Sequence, residues 1–272
     1  MSKYKLLAID MDGTMLTSTK KISPRTLDAI NGLLKRGVHV VTSTGRGLAE
    51  LVDYREDLKL MNYGILITGG VIYDFFKGVP LKTNAVDEEL MLKLIDFGTE
   101  ERAMIHMLTL NESIAREDDI QHMEDFGMEI YQNIFNRICL RVDDFKAYIR
   151  ENPGKVAKVN LYHRDRASRD RNLERMSKLN LSISFAESNN LEAAPAGITK
   201  ASGLIELCKF LNVDIADTVA IGDGFNDKEI LQTAGLAVAM GNARDAIKNF
   251  ADFVTADNDH DGVAFAIEKF FR

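Results

Sequence analysis

The sequence has few cysteines, no long hydrophobic run and no excess of positive charge. Its two cysteines, Cys139 and Cys208, are far apart and match no zinc-binding spacing, so we expect two buried thiols in a reducing compartment. No apolar stretch approaches the length of a membrane span. The first apolar run ends at Asp10, which is unlike a secretion signal. These absences predict a cytoplasmic protein.

The charge balance and the composition limit the possible partners. The net charge of −7 disfavours binding to nucleic acid or to an anionic membrane surface. The five histidines show no metal-ligand spacing, and the sequence has no internal repeat or low-complexity segment. With 272 residues, of which 46% are hydrophobic, the chain can form one large or two medium domains with a substantial core. This is the composition of an ordinary soluble enzyme, and it favours no particular oligomeric state.

The N-terminal part of the chain predicts alternating strands and helices. Residues 4–9 predict a strand, and the Ser-Pro pair at 23–24 is typical of a helix start, with Ser as N-cap and Pro at the first helical position. A strand over 38–41, a helix over 47–58 and a strand over 65–67 follow. This βαβαβ order predicts the beginning of a doubly wound, mostly parallel sheet.

The regular alternation stops in the middle of the chain. Residues 83–190 are more polar and predict a separate α+β domain, with a strand over 134–142 among its elements. Alternation then returns, and its last part includes a predicted helix over 242–250. The predicted organisation is therefore a Rossmann-like catalytic core formed by residues 1–82 and 191–272, with a second domain inserted over residues 83–190.

Two apolar strands end in pairs of acids. Asp10 and Asp12 follow the first strand, and Asp223 and Asp227 follow a predicted strand over 218–221. These four carboxylates would meet at the carboxyl edge of the sheet, where ligands bind, and would repel one another unless a cation joined them. Oxygen-only ligands predict Mg2+, bound directly or through water. Magnesium beside a nucleophilic carboxylate predicts phosphoryl transfer.

The segment after the first strand contains the candidate catalytic groups. Asp10 is the candidate nucleophile, which would form an aspartyl-phosphate. Asp12 is the candidate acid and base, which would protonate the leaving oxygen and later activate water. Gly13 permits a tight turn, and we expect Thr14 to orient Asp12. The alternative is an ordinary turn after a strand, where Asp and Gly are common.

Three other positions are candidates for phosphate binding. The Thr44 hydroxyl and the backbone N–H groups from Gly45 onward lie at a predicted helix N-terminus, although a plain N-cap would have the same pattern. Lys200, at another predicted helix start, could neutralise Asp10 and the transferring phosphate, and a solvated surface lysine is the alternative. Asn226 could donate a hydrogen bond to a phosphate oxygen.

Together and in this order, these motifs resemble those of the haloacid dehalogenase-like phosphohydrolases, and more closely those of the Cof-type group. The resemblance covers the whole chain and includes several stretches that are specific to the group. Its motifs are LAIDMDGT (7–14), TGR (44–46), GITK (197–200), IGDGFND (221–227), GLAVAMGNA (235–243), ADFVT (251–255) and DGV (261–263).

The resemblance implies roles for particular residues. It makes Asp10 the nucleophile and Asp12 the acid and base. The implied magnesium ligands are Asp10, the backbone carbonyl of Asp12, and Asp223. The implied phosphate-binding groups are the Met11 backbone, Thr44, Gly45, Lys200 and Asn226. The inserted domain resembles the cap that closes over the site and selects the substrate in this group.

One departure from the group is visible. Relatives often carry Asn-Gly after the third strand, where this chain has Gly69-Gly70. We expect the change to affect a polar contact at the boundary of core and cap rather than catalysis.

The sequence thus predicts a magnesium-dependent phosphatase that acts on a small phosphorylated metabolite, with a sugar phosphate as the favoured class. One alternative is a phosphosugar mutase on the same fold, in the manner of the phosphomannomutases. Another is a non-enzymatic, receiver-like phosphoacceptor, which would need neither Asp12 nor a large inserted domain.

Overall fold

The computed structural model describes residues 3–185 and 188–272. Within these ranges the strands are β1 Leu6–Asp10, β2 His39–Ser43, β3 Tyr63–Leu66, β4 Val71–Asp74, β5 Val79–Thr83, β6 Met104–Thr109, β7 Ser113–Ala115, β8 Cys139–Arg141, β9 Val156–Tyr162, β10 Leu181–Ser184, β11 Asn190–Pro195, β12 Thr218–Gly222, β13 Leu236–Ala239 and β14 Phe253–Val254. The α-helices are α1 Pro24–Lys35, α2 Arg55–Leu58, α3 Glu88–Glu100, α4 Glu117–Gln121, α5 Gln132–Ile138, α6 Phe145–Glu151, α7 Arg166–Met176, α8 Lys200–Leu211, α9 Lys228–Thr233, α10 Asp245–Lys248 and α11 Gly262–Phe270. None of the helices in the described ranges is long and apolar enough to cross a membrane.

The chain forms two compact units. The core unit consists of Met1–Gly45, Asp53–Lys82 and Thr199–Arg272, and the inserted unit consists of Arg46–Val52 and Thr83–Ile198. The inserted unit extends past the predicted boundary at residue 190, because β11 pairs with β9 and β10. Residues 46–52, which the sequence suggested for the core, also group with the inserted unit.

The core unit contains an eight-stranded sheet with the order β14-β13-β12-β1-β2-β3-β4-β5. The six strands from β14 to β3 are parallel, whereas β4 runs antiparallel to β3. Buried residues of β1 and β12 form one apolar cluster with α8 and α9. The predicted doubly wound, mostly parallel sheet is confirmed, and it places β1 between β12 and β2.

Local capping fixes where the core helices begin. Ser23 caps α1 as predicted, because its side chain accepts a hydrogen bond from the Thr26 N–H. Thr199 caps α8 in a reciprocal pair with Ser202, in which each side chain accepts a hydrogen bond from the other's backbone N–H. The apolar pattern of the sequence predicts a helix over 198–211, and α8 begins two residues later, at Lys200.

The inserted unit is built on a six-stranded sheet with the order β10-β11-β9-β6-β7-β8. Its neighbouring strands are antiparallel except for the parallel pair β7 and β8. Helices α3, α6 and α7 pack on an apolar cluster with side chains of β6, β9 and β11. This arrangement matches the α+β character predicted from the more polar sequence of this region.

Three predicted elements differ from the observed ones. The predicted strand over 134–142 is helix α5 followed by the short strand β8, because Phe135 packs into a small apolar cluster together with Ile134 and Ile138 of the same helix. The predicted helix over 47–58 is a 3₁₀ segment, Leu48–Tyr54, followed by α2. The predicted helix over 242–250 contracts to α10. Each stretch has an apolar pattern that fits more than one element, and packing decides between them.

Two adjacent residues of α8 test how the core unit is stabilised. Leu204 is fully buried, whereas the neighbouring Ile205 is 38% exposed. Leu204→Ala should lower the free energy of unfolding by about 2–5 kcal/mol, because it leaves a cavity beside the sheet. Ile205→Ala should cost about 1 kcal/mol or less. Urea unfolding of both variants checks this, and equal losses would contradict the assigned packing of α8.

Candidate active site

The candidate site lies at the carboxyl edge of the core sheet. Asp10 is the last residue of β1, and Asp223 directly follows β12. These strands are neighbours, with Ile9 paired to Ile221 in register. Asp10 and Asp223 are far apart in sequence, but the fold brings their carboxylates together. The strand pattern of the sequence predicts this closeness.

Lys200 joins the two acidic segments. Its Nζ lies 2.6 Å from Asp10 Oδ1 and 2.7 Å from Asp227 Oδ1. Lys200 is fully buried, and both carboxylates are buried with it. The alternative of a solvated surface lysine is therefore wrong. Since Lys200 is the first residue of α8, the capping of that helix by Thr199 decides where the ammonium lies.

Asp227 holds the loop that carries Asp223. While its Oδ1 accepts a hydrogen bond from Lys200, its Oδ2 accepts hydrogen bonds from the backbone N–H groups of Asp223 at 3.1 Å and Gly224 at 2.9 Å. Both oxygens of Asp227 are thus engaged within the protein. The side chain fixes the shape of the loop and the position of Lys200 at the same time.

Thr14 connects the first motif to Asp223. Its Oγ1 donates a hydrogen bond to Asp223 Oδ1 at 2.7 Å. The expectation that Thr14 orients Asp12 is therefore wrong. Gly13, at a positive φ of 78°, also approaches Asp223 closely, since a Cβ at this position would lie 2.4 Å from Asp223 Oδ2. The two motifs consequently fit together only with glycine at position 13.

Asp12 lies apart from the buried cluster. Its Oδ1 forms an ion pair with Lys20 Nζ at 2.7 Å, and both side chains are partly exposed. Sequence reasoning missed Lys20, because it lies in a loop without periodicity or motif. The close pairing of a partly exposed lysine with Asp12 could be found only from the structure.

Gly69 supports the start of α8. It has a positive φ of 97°, and a Cβ there would lie 2.1 Å from the backbone oxygen of Thr199 and 3.4 Å from the backbone nitrogen of Lys200. In this structure a side chain at position 69 would push against the residues that place the ammonium. The departure from the Asn-Gly of relatives therefore lies beside Lys200.

The other predicted site residues lie at the same sheet edge or in its loops. Thr44 is buried directly after β2, where its backbone N–H donates to Ile65 O at 2.9 Å. No α-helix begins at Thr44 or Gly45, since a 3₁₀ segment starts only at residue 48, so the predicted helix N-terminus is wrong.

Met11 is buried in the turn after β1, and Asn226 lies partly exposed in the short 3₁₀ segment 225–227.

The buried cluster of Asp10, Asp223, Asp227 and Lys200 contains three carboxylates and one ammonium group. Burial, followed by the charge of Asp227, raises the pKa of Asp10 well above its usual value, although Lys200 lowers it. Burial also raises the pKa of Asp223 to about 6, against the opposing hydrogen bond from Thr14. Burial lowers the pKa of Lys200, but Asp10 and Asp227 outweigh burial and raise the pKa above its usual value. Lys200 is therefore charged, and its single positive charge offsets one of the three carboxylate charges of Asp10, Asp223 and Asp227.

The donor set fits a divalent metal ion. Asp10, Asp223 and Asp227 each offer a carboxylate oxygen, and these oxygens lie within 4.8 Å of one another. Oxygen donors suit a hard cation, and two positive charges would balance the excess of carboxylates over the one lysine. The side chain of Asp12 is not part of this group of three.

Comparison with known proteins gives matches along nearly the whole chain. The model of the haloacid dehalogenase-like hydrolase family matches residues 7–267. A 5-amino-6-(5-phospho-D-ribitylamino)uracil phosphatase of Bacillus subtilis is 32% identical over 97% of this chain and 94% of its own length. Among solved structures, a haloacid dehalogenase-like hydrolase from B. subtilis has a TM-score of 0.88 at 25% identity, covering 98% of this chain and 100% of that chain. One from Bacteroides thetaiotaomicron has a TM-score of 0.84 at 26% identity, with the same coverage.

These matches confirm the resemblance that the sequence motifs predict, including the Cof-type group. In this chain Asp10 and the buried Lys200 are in contact at one sheet edge, and Asp12 follows Asp10 by two residues. The chain belongs to the haloacid dehalogenase-like hydrolase family and is a phosphoric monoester hydrolase.

Proposed function

We propose that this enzyme is a magnesium-dependent phosphatase that hydrolyses a small phosphorylated metabolite, of the sugar phosphate class, through an aspartyl-phosphate. The observation that carries the proposal is the buried contact of Asp10 with Lys200 at the carboxyl edge of the sheet. A carboxylate beside a fixed ammonium can approach a phosphate dianion that would otherwise repel it. Asp12, two residues further on, supplies the proton transfers.

In the first step, an oxygen of Asp10 attacks the phosphorus in line with the ester bond. The bond between phosphorus and the leaving oxygen breaks, and its electron pair goes to that oxygen. Asp12, in its protonated form, donates a proton to the leaving oxygen and becomes a carboxylate. The products are an alcohol and an aspartyl-phosphate on Asp10.

In the second step, the Asp12 carboxylate takes a proton from a water molecule. The water oxygen attacks the phosphorus, and the bond to Asp10 breaks, so inorganic phosphate forms. Asp10 returns as a carboxylate and Asp12 returns in its protonated form. The same side chain thus acts as acid and then as base, which requires it to stay in one place while the substrate changes.

Lys200 and Asp227 hold the nucleophile for both steps. The ammonium fixes one oxygen of Asp10 and offsets charge on the transferring group, while Asp227 fixes the ammonium from the other side. We propose that the Met11 backbone, Thr44, Gly45 and Asn226 complete the phosphate-binding groups together with Lys200. Charged and polar groups that are placed before the reaction need no reorganisation when charge develops.

The magnesium ion would be held by Asp10 and Asp223, together with the backbone carbonyl of Asp12. When bound, it would supply positive charge that stabilises the transferring phosphate. Asp227 also belongs to the acidic cluster, and with both oxygens engaged in the protein we propose that it supports the site through Lys200 and through water. Oxygen-only donors favour magnesium over zinc or copper.

We propose that the inserted unit selects the substrate. One face of its sheet carries several buried polar side chains, among them Lys158, Asn160 and Glu192. Lys158 Nζ lies 3.4 Å from Glu192 Oε2, and Glu192 is paired in register with Asn160. The Oδ1 atom of Asn160 has no hydrogen-bond partner among the described residues. Such groups suit the hydroxyls of a sugar or a polyol chain, and the B. subtilis relative acts on a phosphoribityl compound.

The nucleophile assignment predicts that Asp10→Asn abolishes turnover and leaves the fold intact, because an amide does not attack phosphorus. The loss should be at least about 10²–10⁴-fold for release of phosphate from sugar phosphates. Asp28→Asn, on the exposed side of α1, is the matched control and should retain wild-type activity. Phosphate release near the wild-type rate by Asp10→Asn would refute the mechanism, and an isomerised phosphosugar as the main wild-type product would favour a mutase.

Lys200→Met should reduce the rate by about 10²-fold or more, because charge on the phosphate is no longer offset. It should also lower stability, since two buried carboxylates lose their partner. Lys209→Met removes an exposed lysine from the last turn of the same helix and serves as the control. Steady-state kinetics and thermal unfolding of both variants check the prediction. Wild-type kinetics for Lys200→Met would remove the lysine from the mechanism.

Activity should disappear when divalent metal is removed with a chelator and should return with magnesium. Calcium should inhibit, because its larger and more flexible coordination shell disturbs the in-line geometry. Asp223→Asn should raise the magnesium concentration needed for half-maximal activity. Magnesium titrations of the metal-free wild type and variant give the comparison, and full turnover after exhaustive metal removal would rule out the metal site.

A further inference from the structure

The proposed acid and base, Asp12, forms an ion pair with Lys20, whose Nζ lies 2.7 Å from Asp12 Oδ1. Lys20 belongs to a turn eight residues further along the chain, within the same core unit. The contact fixes one carboxylate oxygen of Asp12. The Asp12 side chain has only two rotatable bonds, so its carboxylate has few orientations once one of its oxygens is held.

The turn that carries Lys20 is held in place by its backbone. Lys20 has a positive φ of 59°, its N–H donates to Thr17 O at 2.8 Å, and Thr17 N–H donates to Lys21 O at 2.8 Å. The hydroxyl of Tyr54 donates to Lys20 O at 3.3 Å. A left-handed backbone conformation is unfavourable for a residue other than glycine, so the surrounding contacts impose it. These contacts therefore fix the backbone position from which the Lys20 side chain reaches Asp12.

The ion pair of Lys20 and Asp12 adds little to the stability of the fold. The side chains of Lys20 and Asp12 are 45% and 38% exposed, and ion pairs this exposed to solvent contribute little to stability. Orientation is worth more, because a displacement of about 1 Å at a reacting group can cost about 10²-fold in rate. The pair can therefore matter to catalysis while it matters little to folding.

We propose that Lys20 is a positioning residue for Asp12 and holds its carboxyl group in line for proton transfer to the leaving oxygen. The inference rests on the proposed phosphatase mechanism and assigns within it a residue that the sequence motifs do not contain. The effect of Lys20 on the rate must depend on the leaving group. An alkoxide needs a proton from Asp12 as the ester bond breaks, whereas a nitrophenolate leaves without one.

The test compares phosphoenzyme formation by rapid-quench kinetics for glycerol 2-phosphate and for p-nitrophenyl phosphate. Lys20→Met should slow the step about 10–100-fold with glycerol 2-phosphate and only a few-fold with p-nitrophenyl phosphate. Lys20→Arg should restore most of the rate. Lys21→Met removes an exposed neighbouring lysine of the same turn and should match the wild type with both substrates. Asp12→Asn sets the largest loss that Lys20→Met can show.

Thermal unfolding separates positioning from folding. Lys20→Met should unfold within a few degrees of the wild type, as the small stability contribution of an exposed pair requires. An unchanged rate with glycerol 2-phosphate would overturn the inference, and so would an equal loss with both substrates. If the wild type forms no phosphoenzyme with either substrate, the proposed mechanism itself is wrong. If the wild type and the Lys20→Met variant form it equally fast, only the role of Lys20 is wrong.

Discussion

The buried ammonium of Lys200 is the interaction on which the rest of the site depends. It lies between Asp10, at the end of β1, and Asp227, in the loop after β12. A lysine without solvent is costly unless carboxylates surround it, and buried carboxylates are costly without a cation. Each of these three residues therefore requires the other two, although they come from the beginning and the end of the chain.

The surrounding residues serve to keep this arrangement in place. Thr199 and Ser202 cap α8 so that it begins at Lys200, and Gly69 allows the backbone to pass close to that point. On the other side, Thr14 binds Asp223 by its hydroxyl group. These contacts are short-range and directional, so small changes in them would move charged atoms relative to one another. Conformational freedom is thus removed before a substrate is bound, which is how a preorganised site lowers the cost of charge development.

Asp12 has a different environment from the other acids. Asp10 and Asp227 are buried, whereas Asp12 is partly exposed and paired with Lys20 on a surface turn. The difference fits the proposed mechanism, in which Asp10 as nucleophile must keep a fixed position and Asp12 as acid and base must exchange protons with water. Two aspartates separated by one residue thus receive opposite environments from the alternation of a strand end and the turn that follows it.

The alternating elements, the acid pairs at two strand ends and the family can be predicted from the sequence alone, because apolar periodicity and short motifs are local properties. The sequence also predicted the nucleophile and its lysine as candidates. The folded structure was needed to show that Lys200 is buried between two carboxylates, that the Thr14 hydroxyl binds Asp223, and that Lys20 binds Asp12. It also turned the predicted strand over 134–142 into helix α5 and β8. Which charged groups become partners depends on which surfaces meet when the chain folds. The same contacts decide whether a short apolar run forms a helix or a strand. No local sequence pattern contains this information.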